Sequence, residues 1–165
     1  MDDQERKKLI AMYRDGYRAI AEVLLKITPE ELETKPAPKR WCVREILHHL
    51  ADSEMTAAVR LRLLLAEDRP TIHGYDQDQF AERLHYDRPH ETSLELFKWV
   101  RQATAEILER LTPGEWLREG THTEAGRFGV EEWLKTYSEH AHKHARQIRM
   151  TRDAAVKQQE DAKAS

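Results

Sequence analysis

The stretch GVEEWLKTYSEHAHKHARQI, residues 129–148, decides the fold class. Val130, Trp133, Leu134, Tyr137, Ala141 and Ile148 recur at intervals of three, four and seven, which is the period of an α-helix with one apolar stripe. The predicted helix starts near Gly129 and runs to about Thr151. Working back along the chain, Leu94, Phe97, Val100, Thr104, Ile107, Leu108 and Leu111 give a third helix. It opens at Thr92 or Ser93, with Thr92 and Glu95 in capping-box spacing, and is stopped by Pro113-Gly114. Val43, Ile46, Leu47, Leu50, Ala57 and Leu61 give a second helix from about Trp41 to Ala66, ended by Pro70. Leu9, Met12, Tyr13, Tyr17, Ile20, Leu24 and Ile27 give a first, from Asp3 to Ile27, before Thr28-Pro29.

Four amphipathic helices joined by polar connectors predict an all-α four-helix bundle. Little reads as strand. The segment TPEELETKPAPKR (28–40) opens with a short turn, Thr28 capping and Glu31 three residues on, and Pro36 and Pro38 stiffen its remainder. Residues 67–91 are long for a connection and predict a crossover between the second and third helices, with DQDQFAERL as a short helix inside it. The domain is expected over residues 1–151. The tail 152–165 has almost no large apolar residue and reads as frayed helix or disorder.

Composition fits one such domain of 165 residues. Hydrophobic residues are 39% and charged residues 35% of the chain, enough for narrow stripes and little else. Mean hydropathy of -0.82 and the absence of any long uncharged apolar run exclude a membrane-spanning helix. A net charge of -3 gives no basic surface for nucleic acid. One cysteine excludes a disulfide framework and a cysteine-rich zinc site. The opening MDDQERKKL lacks the apolar region of an export signal, so a cytoplasmic location is expected.

Nine histidines remain to be placed. At about 100° per residue, His144 falls within about 20° of the centre of the last helix's stripe and His140 within about 60°, while His142 is about 140° away and faces water. Two inward imidazoles at i, i+4 can chelate one ion, and a third ligand should come from a facing helix. In the second helix His49 lies about 110° from the stripe centre and His48 about 150°, so His49 is the preferred third ligand and His48 is placed toward solvent. His73, His85, His90 and His122 fall in connectors and read as ordinary polar residues. Cys42 reads as a helix-start residue and Trp41 as a core plug. No general base is evident: Asp52 and Glu54 lie off the His49 side, which Ser53, Thr56 and Arg60 share. Arg60 can anchor an anionic substrate group, and Tyr75 with Asp76 can reach in from the long connector. Gln147, one heptad after His140, is a candidate partner for a ligand histidine.

The stretches RWCVREILHHLADSE (40–54), AEDRPTIHGYDQDQF (66–80) and HTEAGRFGVEEWLKTYSEHAHKHARQI (122–148) together resemble the DinB/YfiT-like superfamily of metal-dependent enzymes, over nearly the whole chain to about Met150. The resemblance implies up-down-down-up topology and a divalent metal held by three histidines. The family's first ligand precedes the L-A-D-S segment and matches His49; its other two match His140 and His144. Cys42 and Gly129 depart from the family, standing at helix starts where hydroxyl residues are common, away from the ligands. Three imidazoles leave an open position on the ion, as in catalytic zinc sites, and zinc and nickel both suit imidazole. The resemblance also implies transfer of a low-molecular-weight thiol to an electrophilic small-molecule substrate. A hydrolase using metal-bound water is the alternative enzyme, and a metal-binding bundle without catalysis the non-enzymatic one. A homodimer is a further expectation.

Overall fold

In a computed structural model, which describes residues 1–164, four long helices form the bundle. In chain order the elements are α1 (Asp3–Val23), α2 (Pro29–Glu33), α3 (Val43–Ala66), β1 (Thr71–Ile72), α4 (Gln77–Arg83), α5 (Glu91–Leu108), α6 (Pro113–Trp116), β2 (Glu119–His122), β3 (Gly126–Gly129) and α7 (Val130–Ala164). Each long helix lies between two others, α1 and α3 both touching α5 and α7. Contacts fix the directions. Arg6 meets Glu131 while Val23 meets Arg152, so α1 and α7 run parallel. His48 meets Ser93 and Arg62 meets Thr104, so α3 and α5 run parallel. Trp133 meets Ala57 while His140 meets His49, so α3 opposes α7. The result is the up-down-down-up bundle expected. No helix is long and apolar enough to cross a membrane among the described residues.

Local chemistry sets the ends. Asp2 accepts from Glu5 N at 2.8 Å to start α1, and Thr28 with Glu31 completes the capping box of α2. Glu45 accepts from Cys42 N at 2.8 Å, so α3 is capped from its third position in the absence of a hydroxyl at Cys42. DQDQFAERL forms the short helix expected inside the crossover, but Asp76, expected with Tyr75 to reach in toward the site, is exposed and caps α4, accepting from Asp78 N and Gln79 N at 3.0 Å.

Several boundaries differ from expectation. α1 stops at Val23, and Lys26 has φ 56°. α5 starts at Glu91 without a side-chain cap, and the Ser93 hydroxyl is engaged by His48 instead. Pro113 does more than end a helix: it occupies the first turn of α6 behind the Thr112–Glu115 capping box. α7 runs on through the polar tail to Ala164, because Ala155 is fully buried and Arg152 reaches Glu31 and the Val23 carbonyl. Ser165, the tail's last residue, lies outside the described residues.

A small sheet also forms. β1 pairs parallel with β2 and β2 antiparallel with β3, with His122 opposite Gly126 at the turn. These strands are two to four residues long, too short for an alternating pattern to show.

The core has two adjoining parts. Tyr13, Ala57, Leu61, Leu64, Trp133 and Leu134 fill one, and Ile20, Ile46, Leu47, Leu50, Phe97 and Ile148 the other. Each such large apolar side chain contributes about 1.5–3 kcal/mol on full burial. Arg101 joins the two parts, its guanidinium 4.0 Å from the Tyr13 ring and 5.2 Å from that of Phe97. Glycine at position 16 permits this: a Cβ there would stand 2.7 Å from both Ala141 Cβ and Arg101 Nε.

Candidate metal centre

α3 carries His49 and α7 carries His140 and His144, one turn apart, to the same place in the bundle. One ligand nitrogen from each lies within 4.8 Å of the others. Ring centroids are 4.8 Å apart for His49 and His144, 5.4 Å for His49 and His140, and 4.5 Å for His140 and His144. The structure thus brings together the three histidines that helical phase singled out.

Electrostatics keeps all three neutral. Burial, with the neighbouring His144, pushes the His49 pKa down to about 3. Burial lowers His140 well below the ordinary histidine value, and the other two imidazoles, Arg101 and Lys143 lower it further. Burial lowers His144 too, opposed by its hydrogen bond to Gln147. Neutral imidazole is the form that ligates a metal.

The donor set fits a divalent cation on two observations. The buried Nδ1 of His49 has no hydrogen-bond partner. The Nε2 atoms of His140 and His144 face each other at 3.1 Å, two nitrogens that both hold lone pairs when neutral and protonated on Nδ1. Gln147 Oε1 stands 2.8 Å from His144 Nδ1 and accepts its proton, which leaves Nε2 bare toward the cluster. That is the role the sequence offered Gln147.

Other residues fall differently. His48, placed toward solvent by phase, is fully buried. Its Nδ1 lies 2.8 Å from Ser93 Oγ and its Nε2 3.0 Å from the Arg88 carbonyl. It is buried because α3 is covered on more than one face, by α5 and by the segment after α4. His142 does not simply face water: its Nε2 lies 3.0 Å from the Met12 carbonyl on α1. His122 is a buried turn residue, its Nδ1 accepting from Glu124 N and Ala125 N. His73, His85 and His90 remain in connectors. Trp41 is half-buried and does more than plug the core, packing on His49 at 4.9 Å.

Arg60 and Tyr75 meet as well, the guanidinium 5.7 Å from the Tyr75 ring. Arg60 Nη1 donates to Tyr137 Oη at 2.8 Å and Nη2 donates to the His73 carbonyl, while Nε is buried and unpaired. Tyr137 in turn packs 6.2 Å from His140, so this chain of contacts ends at the histidine cluster. Burial pushes the Tyr75 and Tyr137 hydroxyls up, keeping both protonated.

Sequence reasoning missed a buried polar group. Glu54 is paired with Arg101 and receives the Tyr13 hydroxyl, and Arg101 Nη2 donates to the Tyr137 carbonyl at 2.8 Å. Asp52 is likewise buried and accepts from Tyr86 Oη at 2.7 Å. Asp52 stands where a one-stripe helix turns to water, whereas Glu54 falls within about 40° of the stripe centre of α3, a carboxylate on the buried face that helical phase could have found.

Comparison with known proteins adds a family. The model of the DinB superfamily matches residues 12–148. A relative from Oceanobacillus iheyensis, named a candidate metal-dependent hydrolase, is 32% identical over 131 residues, covering 79% of this chain and 76% of its own. A second, from Halalkalibacterium halodurans and named in the same way, is 26% identical over 126 residues, 75% of this chain and 74% of its own. The solved structure of YfiT from Bacillus subtilis, described as a probable metal-dependent hydrolase with an unusual four-helix bundle topology, superposes with a TM-score of 0.84. It covers 96% of this chain and 90% of that one at 24% identity, a likeness of fold.

Proposed function

Because the chain belongs to the DinB superfamily, we propose that it is a divalent-metal-dependent enzyme whose ion is held by His49, His140 and His144. The convergence of three neutral, buried imidazoles on one point carries this reading. Zinc or nickel is the proposed ion, since both suit imidazole. A divalent ion with an open position supplies Lewis acidity, lowering the pKa of a coordinating thiol or water.

The chain's own residues do the rest. Gln147 holds the His144 proton on Nδ1 and so orients the ring. Trp41 lies against His49 and limits water on that side. Tyr137 and Arg60 tie His140's neighbourhood to the crossover, and Arg60 with Tyr75 is the proposed substrate-side pair.

For the reaction we favour transfer of a low-molecular-weight thiol to an electrophilic small molecule. The sulfur forms the new bond to carbon as the carbon's bond to its leaving group breaks and that group departs with the bonding pair, and the thiol proton is lost to solvent. One observation favours it over hydrolysis: the rings packed on the cluster are Trp41 and Tyr137, and Asp52, the carboxylate three residues past His49, is engaged by Tyr86. A coordinated thiol needs no protein base, whereas hydrolysis gains from one. Hydrolysis is the second reading, favoured by the names of the relatives. A cytoplasmic setting and a homodimer belong to the same proposal.

The test is turnover of zinc- or nickel-loaded protein on a panel of electrophiles with and without added thiols, beside a panel of esters and amides. Thiol-dependent consumption of an electrophile, lost in His140→Ala/His144→Ala, is expected. Thiol-independent cleavage would favour the hydrolase. Stoichiometric metal without either turnover would make the protein a metal-binding module.

A further inference from the structure

Beside the histidine cluster, the segment before α3 and the part of α7 beyond His144 enclose a groove of about 730 Å³. It adjoins the cluster through two of its lining residues. Trp41 packs on His49, and Gln147 accepts from His144.

The groove is charged in one sense. Arg40, Lys143 and Arg146 line it and no carboxylate does, although the chain as a whole carries -3. Lys143 is paired with Glu139 at 3.0 Å on the outer surface. The side chains of Arg40 and Arg146 are exposed, and neither has a salt bridge among the described residues. Two guanidinium groups with no carboxylate in salt-bridge contact, Arg146 feeling Glu139 only at longer range, attract an anion on one concave surface, and the fork of arginine suits carboxylate or phosphate. The apolar part of the lining includes Trp41 and Met150, the latter 71% exposed. An exposed methionine beside a half-buried tryptophan offers a surface for an apolar body.

We propose that this groove binds the substrate's anionic end, a carboxylate or phosphate carried on an apolar body, with the reactive end directed past Trp41 and Gln147 to the three histidines. The assignment of the anion to substrate rests on the metal-centre reading. Binding in the groove does not, because its cations are separate residues from the ligands.

Calorimetric titration of the full chain, with and without bound zinc, tests this with three probes: 4-phenylbutyrate, phenyl phosphate and the neutral 4-phenylbutanamide. At least one anion is expected to bind ten-fold or more tightly than the amide in both forms of the protein, and the tighter of the two identifies the anion class. Arg40→Glu/Arg146→Glu is expected to abolish that preference with zinc stoichiometry and melting temperature retained, and Arg40→Gln/Arg146→Gln to weaken it. Equal binding of anions and amide, no anion binding, or an anion preference that survives charge reversal overturns the proposal. So does a preference present only with zinc, since the anion would then be on the metal. A preference present in protein that takes up no zinc upholds the groove and removes the metal centre instead.

Discussion

His144 Nε2 faces His140 Nε2 at 3.1 Å, and the His144 Nδ1 proton is committed to Gln147. In the neutral pair a single proton on His140 Nε2 can bridge the two nitrogens, whereas a cation satisfies both at once and reaches the unpaired His49 nitrogen as well. Metal binding should therefore stabilise the fold strongly. With free zinc at a thousand times its dissociation constant, linkage gives about 4.1 kcal/mol. For a domain of this size that raises the melting temperature by roughly 8–16 °C, using about 2–4 °C per kcal/mol. Calorimetric scans with zinc or nickel should show the rise in the natural chain and none in His140→Ala/His144→Ala. A natural chain whose melting temperature is unmoved by either ion has no such site.

Adjacent histidines on α3 should separate structure from metal binding. His48 is fully buried between Ser93 and the Arg88 carbonyl, whereas His49 turns one ring face to Trp41 and the other groups of the cluster. His48→Ala removes two hydrogen bonds and leaves a cavity, and should cost about 2–4 kcal/mol in urea unfolding. Its metal stoichiometry should be that of the natural chain. His49→Ala should do the reverse, losing metal while the metal-free protein keeps most of its stability. Metal loss in His48→Ala with His49→Ala still loaded would exchange the roles.

That pair also marks how far the sequence could be read. Stripes on four helices were legible because their apolar residues sit on one face each, and His140 and His144 were legible because they share that face on α7. His49 was legible at the stripe's flank, where a neighbouring helix reaches. His48 and Asp52 were not, because a single stripe assumes one buried face and α3 is buried almost all round; Glu54 lies on the stripe, where its partner Arg101 comes from α5. What buries them comes from α5 and from Tyr86 in the crossover, partners separated from them by tens of residues. The sheet was illegible for another reason: β1 is two residues long and exists only because β2 lies beside it.

Acid should loosen the places where α7 is tied to the N-terminal part of the chain. The Arg152 hydrogen bond holds Glu31 below the ordinary carboxylate range, and the Arg6 hydrogen bond does the same for Glu131. Both folded pKa values lie below the unfolded ones, so protons favour the unfolded chain. The stability these pairs contribute is complete above the unfolded value of about 4.3 and is lost as pH falls through the folded values. Unfolding free energy should therefore decline below about pH 5. Glu31→Gln/Glu131→Gln should start lower at pH 7 and fall less steeply. Parallel pH profiles for the two proteins would show that these carboxylates are not the groups being protonated.

The costliest single substitution should be at Arg101. Its guanidinium is almost fully buried and serves Glu54, the Tyr13 carbonyl and the Tyr137 carbonyl together. Arg101→Met leaves the Glu54 carboxylate buried without its cation, which costs about 3–5 kcal/mol. Glu54→Leu/Arg101→Met removes both charges and should recover much of that loss, because an apolar pair pays no desolvation. A double-mutant cycle by urea unfolding measures the coupling. The same substitution has an effect at the histidine cluster that simple destabilisation does not produce. Arg101 is one of the charges that lower His140. With the cation gone, the His140 pKa in metal-free protein should rise toward its ordinary value, read by NMR titration of the imidazole. An unchanged His140 titration in folded Arg101→Met would confine Arg101 to the core and disconnect it from the site.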